Sequence, residues 1–241
     1  MNKHSHYQLI DVMRGCAIVL MFIYHFAYDL DYFGYIQQDF SHSPFWLNFR
    51  TLIVTLFLTI MGVSLYLAAY KKLNTKRFQY RLRLLIIYSL LVSLGSWVVF
   101  PDAMIFFGIL HFITLASLIA LFFVPLGKIN LLFGISIIVI ANTFSFQLFD
   151  HAYLQWFGMV TKLPTTVDYV PFLPWFGVVL IGLYLGQLMS SLAKNSWFKQ
   201  WRSQHKIFKV LSLAGRNSLH IYMLHQPLFL GILYIINTVF Q

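Results

Sequence analysis

Residues 9–30 read LIDVMRGCAIVLMFIYHFAYDL, and this stretch decides the architecture. It is long and almost wholly apolar, interrupted only by Asp11, Arg14, His25 and Asp29. A helix needs about 20 such residues to cross a hydrocarbon core about 30 Å thick. Comparable runs recur at 46–70, 82–100, 103–124, 129–146, 170–191 and 218–239, the fifth of the seven being short. The expectation is an all-α, polytopic transmembrane helix bundle of about seven spans.

The composition agrees. Of 241 residues, 59% are hydrophobic and only 10% charged, where a soluble domain carries about 25% charged residues. The 25 Phe and 14 Tyr suit a lipid-facing surface with aromatic belts. Seven spans use more than half of the chain, so a single domain over 1–241 is expected.

The formal charge of +10 is concentrated in two blocks. Lys71, Lys72, Lys76, Arg77, Arg81 and Arg83 form the first, and Lys194, Lys199, Arg202, Lys206, Lys209 and Arg216 the second. Short basic segments between apolar runs stay on the cytoplasmic side against anionic headgroups, so the charge reads as topology and not as nucleic-acid binding. The N-terminus is then expected in the cytoplasm and the C-terminus outside. Asp29, Asp31, Asp39, Asp102, Asp150 and Asp168 fall on the outer side, with Arg50 and Lys162 as the basic exceptions. Cys16 is the single cysteine and has no intramolecular partner for a disulfide. Arg14 and His25 break the first apolar run and no small-x-small site follows, so a cleaved leader is not expected.

Ionisable side chains inside a span are costly and mark function by default. Arg14 and His25 are eleven residues apart, which places them within about 20° of one helix face and roughly 16 Å apart along it. Asp11 lies three residues before Arg14 and Asp29 four after His25, so each is expected to reach its neighbour. An imidazole oriented by a carboxylate is a general base for a hydroxyl or amine nucleophile. An Arg in low dielectric is a clamp for phosphate or an oxyanion.

Further polar insertions are His111, Asn142, His220 and His225. Ser218, Tyr222 and His225 share one face of the last span, and Pro227 is expected to loosen the helix beyond them. His220 and His225 do not share a face. The chain has no Glu, no His-Glu-x-x-His and no Cys-x-x-Cys, so no metal site is expected. In the outer loops, Asp150, Tyr153 and Trp156 are candidates for sugar contacts, although Trp156 reads better as an interfacial anchor.

The opening helix with its Arg14–His25 spacing resembles that of the bacterial heparan-alpha-glucosaminide N-acetyltransferase-like family (catalytic domain). It is more distantly similar to acyltransferase family 3. FFGILH at 106–111, DYVPFLPWFG at 168–177 and GRNSLHIYMLHQP at 215–227 extend the resemblance from end to end. It implies an acyl-CoA-dependent O- or N-acyltransferase of the bacterial inner membrane. Such an enzyme moves an acyl group, usually acetyl, from cytoplasmic acetyl-CoA or another acyl-CoA to a sugar or glycan acceptor outside.

On this resemblance Arg14 and the basic inner segments meet the acyl-CoA phosphates and His25 activates the acceptor. Asp11, His111, Ser218, Tyr222 and His225 form the substrate-binding set. In the larger animal lysosomal enzyme the catalytic His follows the first helix, and its nearest counterpart here is His42. His25 and His42 are therefore rival bases, with His25 preferred for its helix position and its neighbour Asp29. A proton-coupled transporter using the same Arg, His and Asp residues is the alternative, and an accessory subunit without chemistry a third reading. A homo-oligomer is compatible with all three.

Overall fold

The computed structural model describes residues 7–192 and 196–240; Lys194 of the second basic block lies outside them. The described residues are helical, without strands. The helices are α1 (Gln8–Tyr32), α2 (Pro44–Tyr70), α3 (Thr75–Val99), α4 (Ile109–Phe123), α5 (Ile129–Thr143), α6 (Phe172–Ser191), α7 (Trp197–Gln200), α8 (Lys206–Arg216) and α9 (Ser218–Phe240). Six are long and apolar enough to cross a membrane: α1, α2, α3, α4 with its 3₁₀ continuation to Leu126, α6 and α9.

The short fifth run is the departure. The helix stops at Thr143 because Phe144 turns extended, leaving 15 residues, or about 22 Å of helix. The fourth span starts later than its hydropathy suggests. Residues 101–103 form a separate 3₁₀ turn, and α4 begins after Gly108. The third starts earlier, where the Asn74 side chain accepts the Arg77 backbone N–H at 3.0 Å and caps α3. Much of the first basic block therefore lies on helix, not loop.

The chain forms two compact units. The first contains the described residues up to Phe57 and from Ser196 onward. In it α1 packs against α8 and α9, and Ile18, Met21, Tyr24, Phe40 and Ile53 form an apolar core with Trp46, Phe49, Ala214, Ile221 and Tyr222 around it.

The second basic block, expected as a short segment between spans, includes the helix α8. Ile207, Phe208, Leu211 and Ala214 recur at helical spacing between Lys206, Lys209 and Arg216, so the pattern was present but the charge obscured it. Gly15 lies against the backbone of Leu211, and Gly215 against the backbone of Asp11. The two helices touch where neither carries a side chain, as membrane helices do at small residues.

The second unit is Leu58–Leu192. Phe112, Ala116 and Ala120 of α4 and Val179, Leu180 and Leu183 of α6 are fully buried in its interior. The part of α2 in this unit approaches α6 through Gly62 and Gly182, where a Cβ on either would meet the other helix's backbone.

Candidate active site

The structure brings together His25 and Asp29 of α1 with Tyr222, His225 and Gln226 of α9, all in the first unit. The His25 and His225 rings meet edge to face, with centroids 4.9 Å apart. His225 is 5% exposed, stacks on Phe22 at 5.7 Å and takes the edge of Phe229 at 5.9 Å. Its Nδ1 lies 2.5 Å from the Tyr222 carbonyl oxygen, one turn back. A carbonyl only accepts, so Nδ1 carries the proton and Nε2 the lone pair. That Nε2 is buried with no hydrogen-bond partner.

The expected pairing of Asp29 with His25 does not form. Asp29, 1% exposed, accepts from the Gln226 amide at 2.7 Å through Oδ1, while Oδ2 and Gln226 Oε1 stay buried and unpartnered. Spacing of four residues made the contact reachable, but packing against α9 supplied a nearer donor. Gln226 is the residue that sequence reasoning missed; its only signal was its place in the C-terminal motif. α9 continues past Pro227, whose ring nitrogen leaves one helix hydrogen bond unmade. Ser218 opens α9, two turns and about 10 Å along the axis from His225.

At the other end of α1, Asp11 and Arg14 do pair, with Nη1 3.6 Å from Oδ1. α8 joins them. Arg216 Nε donates to Asp11 Oδ2 at 3.1 Å, and Arg14 donates to the Gly215 carbonyl at 3.3 Å. Gln8 and Ser203 exchange two further hydrogen bonds, at 3.2 and 3.0 Å. One buried carboxylate thus gathers two guanidinium groups from two helices.

His42 stands in the loop after α1 with its side chain 86% exposed. Asp39 accepts the backbone N–H groups of His42 at 2.8 Å and Ser41 at 3.0 Å, and the His42 ring Nδ1 lies 3.1 Å away. These contacts, the His42 backbone N–H first, hold the Asp39 carboxyl below its usual range. Phe40 anchors the loop on Tyr24 and Tyr28.

His111 belongs to the second unit and is a cap rather than a free imidazole. Its Nδ1 accepts the Gly108 N–H at 3.4 Å. Ser93 Oγ donates to the Ile105 carbonyl at 2.6 Å, so it must accept from His111 Nε2 at 3.1 Å. Asp168 Oδ2 accepts the Ile109 N–H at 2.9 Å, and Gly108 leaves room for that carboxylate. The 106–111 and 168–177 motifs therefore meet to close the start of α4.

Trp156, read as an interfacial anchor, is half-buried against Phe107 at 5.7 Å and Phe172 at 6.2 Å. Tyr169 donates to the Gln155 carbonyl at 2.6 Å. Burial first, then the Asp150 charge, pushes its phenol up to about 12. Asp150 accepts from the Thr161 hydroxyl and from the N–H groups of Thr161 and Lys162, while Tyr153 is exposed. Among the described residues no three His, Cys or carboxylate side chains gather closely enough to hold a metal ion.

An all-helical chain with six membrane-length helices is a polytopic integral membrane protein. The family model for the catalytic region of heparan-alpha-glucosaminide N-acetyltransferase matches residues 6–227, and the chain belongs to this family of membrane acetyltransferases. No curated protein and no solved structure matches it.

Proposed function

We propose that the protein transfers an acetyl group from acetyl-CoA, or another short acyl group from its CoA thioester, to a hydroxyl or amine of a sugar or glycan. The donor is on the cytoplasmic side and the acceptor on the far side. The observation that carries this reading is the contact between His25 and His225, beside the buried Asp29, within the stretch that matches the family.

In this reading His25 takes the proton of the acceptor group as its oxygen or nitrogen attacks the thioester carbonyl. The C–S bond breaks, the new C–O or C–N bond forms, and the departing thiolate receives the proton. Arg14, together with Arg216, Lys206 and Lys209 of α8, forms the basic end that meets the CoA phosphates. With the two basic blocks inside, the N-terminus is cytoplasmic, the C-terminus is outside, and the histidine pair lies toward the acceptor side.

The test is transfer of label from acetyl-CoA in membranes carrying the wild type or His25→Ala, offered a mixture of glycan acceptors. Label in an acceptor with the wild type alone supports the reading. Label with both variants removes His25 from the chemistry. Proton-coupled uptake of a sugar in vesicles without acyl-CoA, and no label with the wild type, overturns the acyltransferase assignment.

A further inference from the structure

We propose that His225 is the positioning residue for His25, holding the place a carboxylate holds beside a histidine base; the proposal rests on the acyltransferase reading. Asp29, one turn on from His25, accepts from the Gln226 amide and is not hydrogen-bonded to His25. What faces it is the His225 ring at 4.9 Å between centroids, close enough that a small rotation brings ring nitrogens within about 3 Å of each other.

The direction of that contact is set by the backbone. The Tyr222 carbonyl takes the Nδ1 proton of His225, which leaves Nε2 as a lone pair. The atom is buried and has no partner. A buried acceptor without a donor is costly, and the donor suited to it is the N–H on the His25 nitrogen that does not take the acceptor's proton. The stack on Phe22 and the edge of Phe229 hold the ring in place. The chain of groups is then Tyr222 C=O, His225 Nδ1–H, His225 Nε2 and the His25 N–H.

When the acceptor's O–H or N–H proton moves to one nitrogen of His25, the N–H on the other nitrogen becomes that of a cation, and its hydrogen bond to His225 Nε2 strengthens. His225 exchanges no proton in this step. The proton passes from His25 to the CoA thiolate and the contact relaxes. The interaction is stronger once charge has formed, so it lowers the barrier more than it tightens donor binding.

The experiment has two arms on the full chain in lipid nanodiscs. Nitrogen NMR of ¹⁵N-histidine-labelled wild type, with the His225 signals identified by their loss in His225→Phe, reads the tautomer. The expected result is a neutral ring protonated at Nδ1; a ring protonated at Nε2, or a cation at neutral pH, overturns the proposal.

Label transfer from acetyl-CoA then compares three substitutions. His225→Gln keeps an acceptor near the Nε2 position and is expected to hold kcat within about tenfold, whereas His225→Asn and His225→Phe lose it and fall about 10²-fold or more. The KM for acetyl-CoA stays within about twofold throughout. Equal turnover in all three with His25→Ala inactive overturns the positioning role and leaves the acyltransferase reading standing. A wild type that transfers no label overturns both.

Discussion

Asp29 of α1 and Gln226 of α9 are joined by a hydrogen bond of 2.7 Å inside the protein, and the rest of the histidine cluster is arranged around that link. It ties the N-terminal to the C-terminal sequence motif and takes the carboxylate from His25. Gln226→Leu leaves a buried carboxylate without its donor and is expected to cost roughly 1.5–3 kcal/mol. Thermal unfolding in detergent measures it; a midpoint equal to that of the wild type would show that the link contributes nothing.

His25 and His42 make opposite predictions. His25→Ala is expected to lower acyl transfer by about 10²–10⁴-fold, the range of general base catalysis. His42→Ala, on an exposed loop, is expected to leave transfer within about threefold, as surface substitutions usually do. Initial rates with labelled acetyl-CoA decide, and a collapse in His42→Ala alone would move the base to that loop.

The α1–α8 contact has no room for a side chain. Gly15→Val or Gly215→Val pushes a methyl-bearing carbon into the facing backbone and is expected to destabilise by about 1–3 kcal/mol or more. Gly231, with open space at its Cβ position, is the control. Limited proteolysis between Ser196 and Asn217 reads the result: faster cleavage in the first two variants and not in Gly231→Ala. Equal rates in all three would mean that α8 does not depend on this contact.

Asp168→Ala removes the side-chain acceptor from the first turn of α4 and is expected to cost about 0.5–2 kcal/mol, the range for a lost helix cap. His111→Phe is expected to act in the same way, on stability and not on turnover per folded molecule. Active-site-normalised rates distinguish the two; a turnover loss in the fully folded His111 variant would give that imidazole a chemical role.

Asp150 makes the loop before α6 sensitive to acid. Its carboxyl is held below the usual range, chiefly by the Thr161 hydroxyl. The fold therefore favours the ionised form. Its contribution is complete above the ordinary carboxylate pKa of about 4 and is lost as pH falls through the lower folded value. Amide exchange at Thr161 and Lys162, corrected for intrinsic rates, should be flat from about pH 8 to about pH 5 and rise below about pH 4. Asp150→Ala should show the raised exchange at every pH; unchanged protection in that variant would mean the loop is held by other contacts.

Hydropathy alone carried the all-helical membrane class, the number of membrane-length spans to within one short helix, and the place of Asp11, Arg14, His25 and Asp29 on the first span. These are properties of single segments, because the need to satisfy backbone hydrogen bonds in lipid leaves an apolar run of about 20 residues little choice but a helix. The Asp11–Arg14 pair was legible for the same reason, being a contact within one helix.

What the sequence could not decide is which groups from distant segments meet. By spacing Asp29 reaches His25, and only the packing of α9 on α1 supplied Gln226 in its place. His111 and His225 look alike as intramembrane histidines. Tertiary contacts gave Nδ1 of His111 to a helix cap and its Nε2 to Ser93 of α3, and left Nε2 of His225 bare. A side chain's chemistry is set by its hydrogen-bond partners. When those partners lie about two hundred residues away, as Gln226 does from Asp29, only the tertiary structure supplies them.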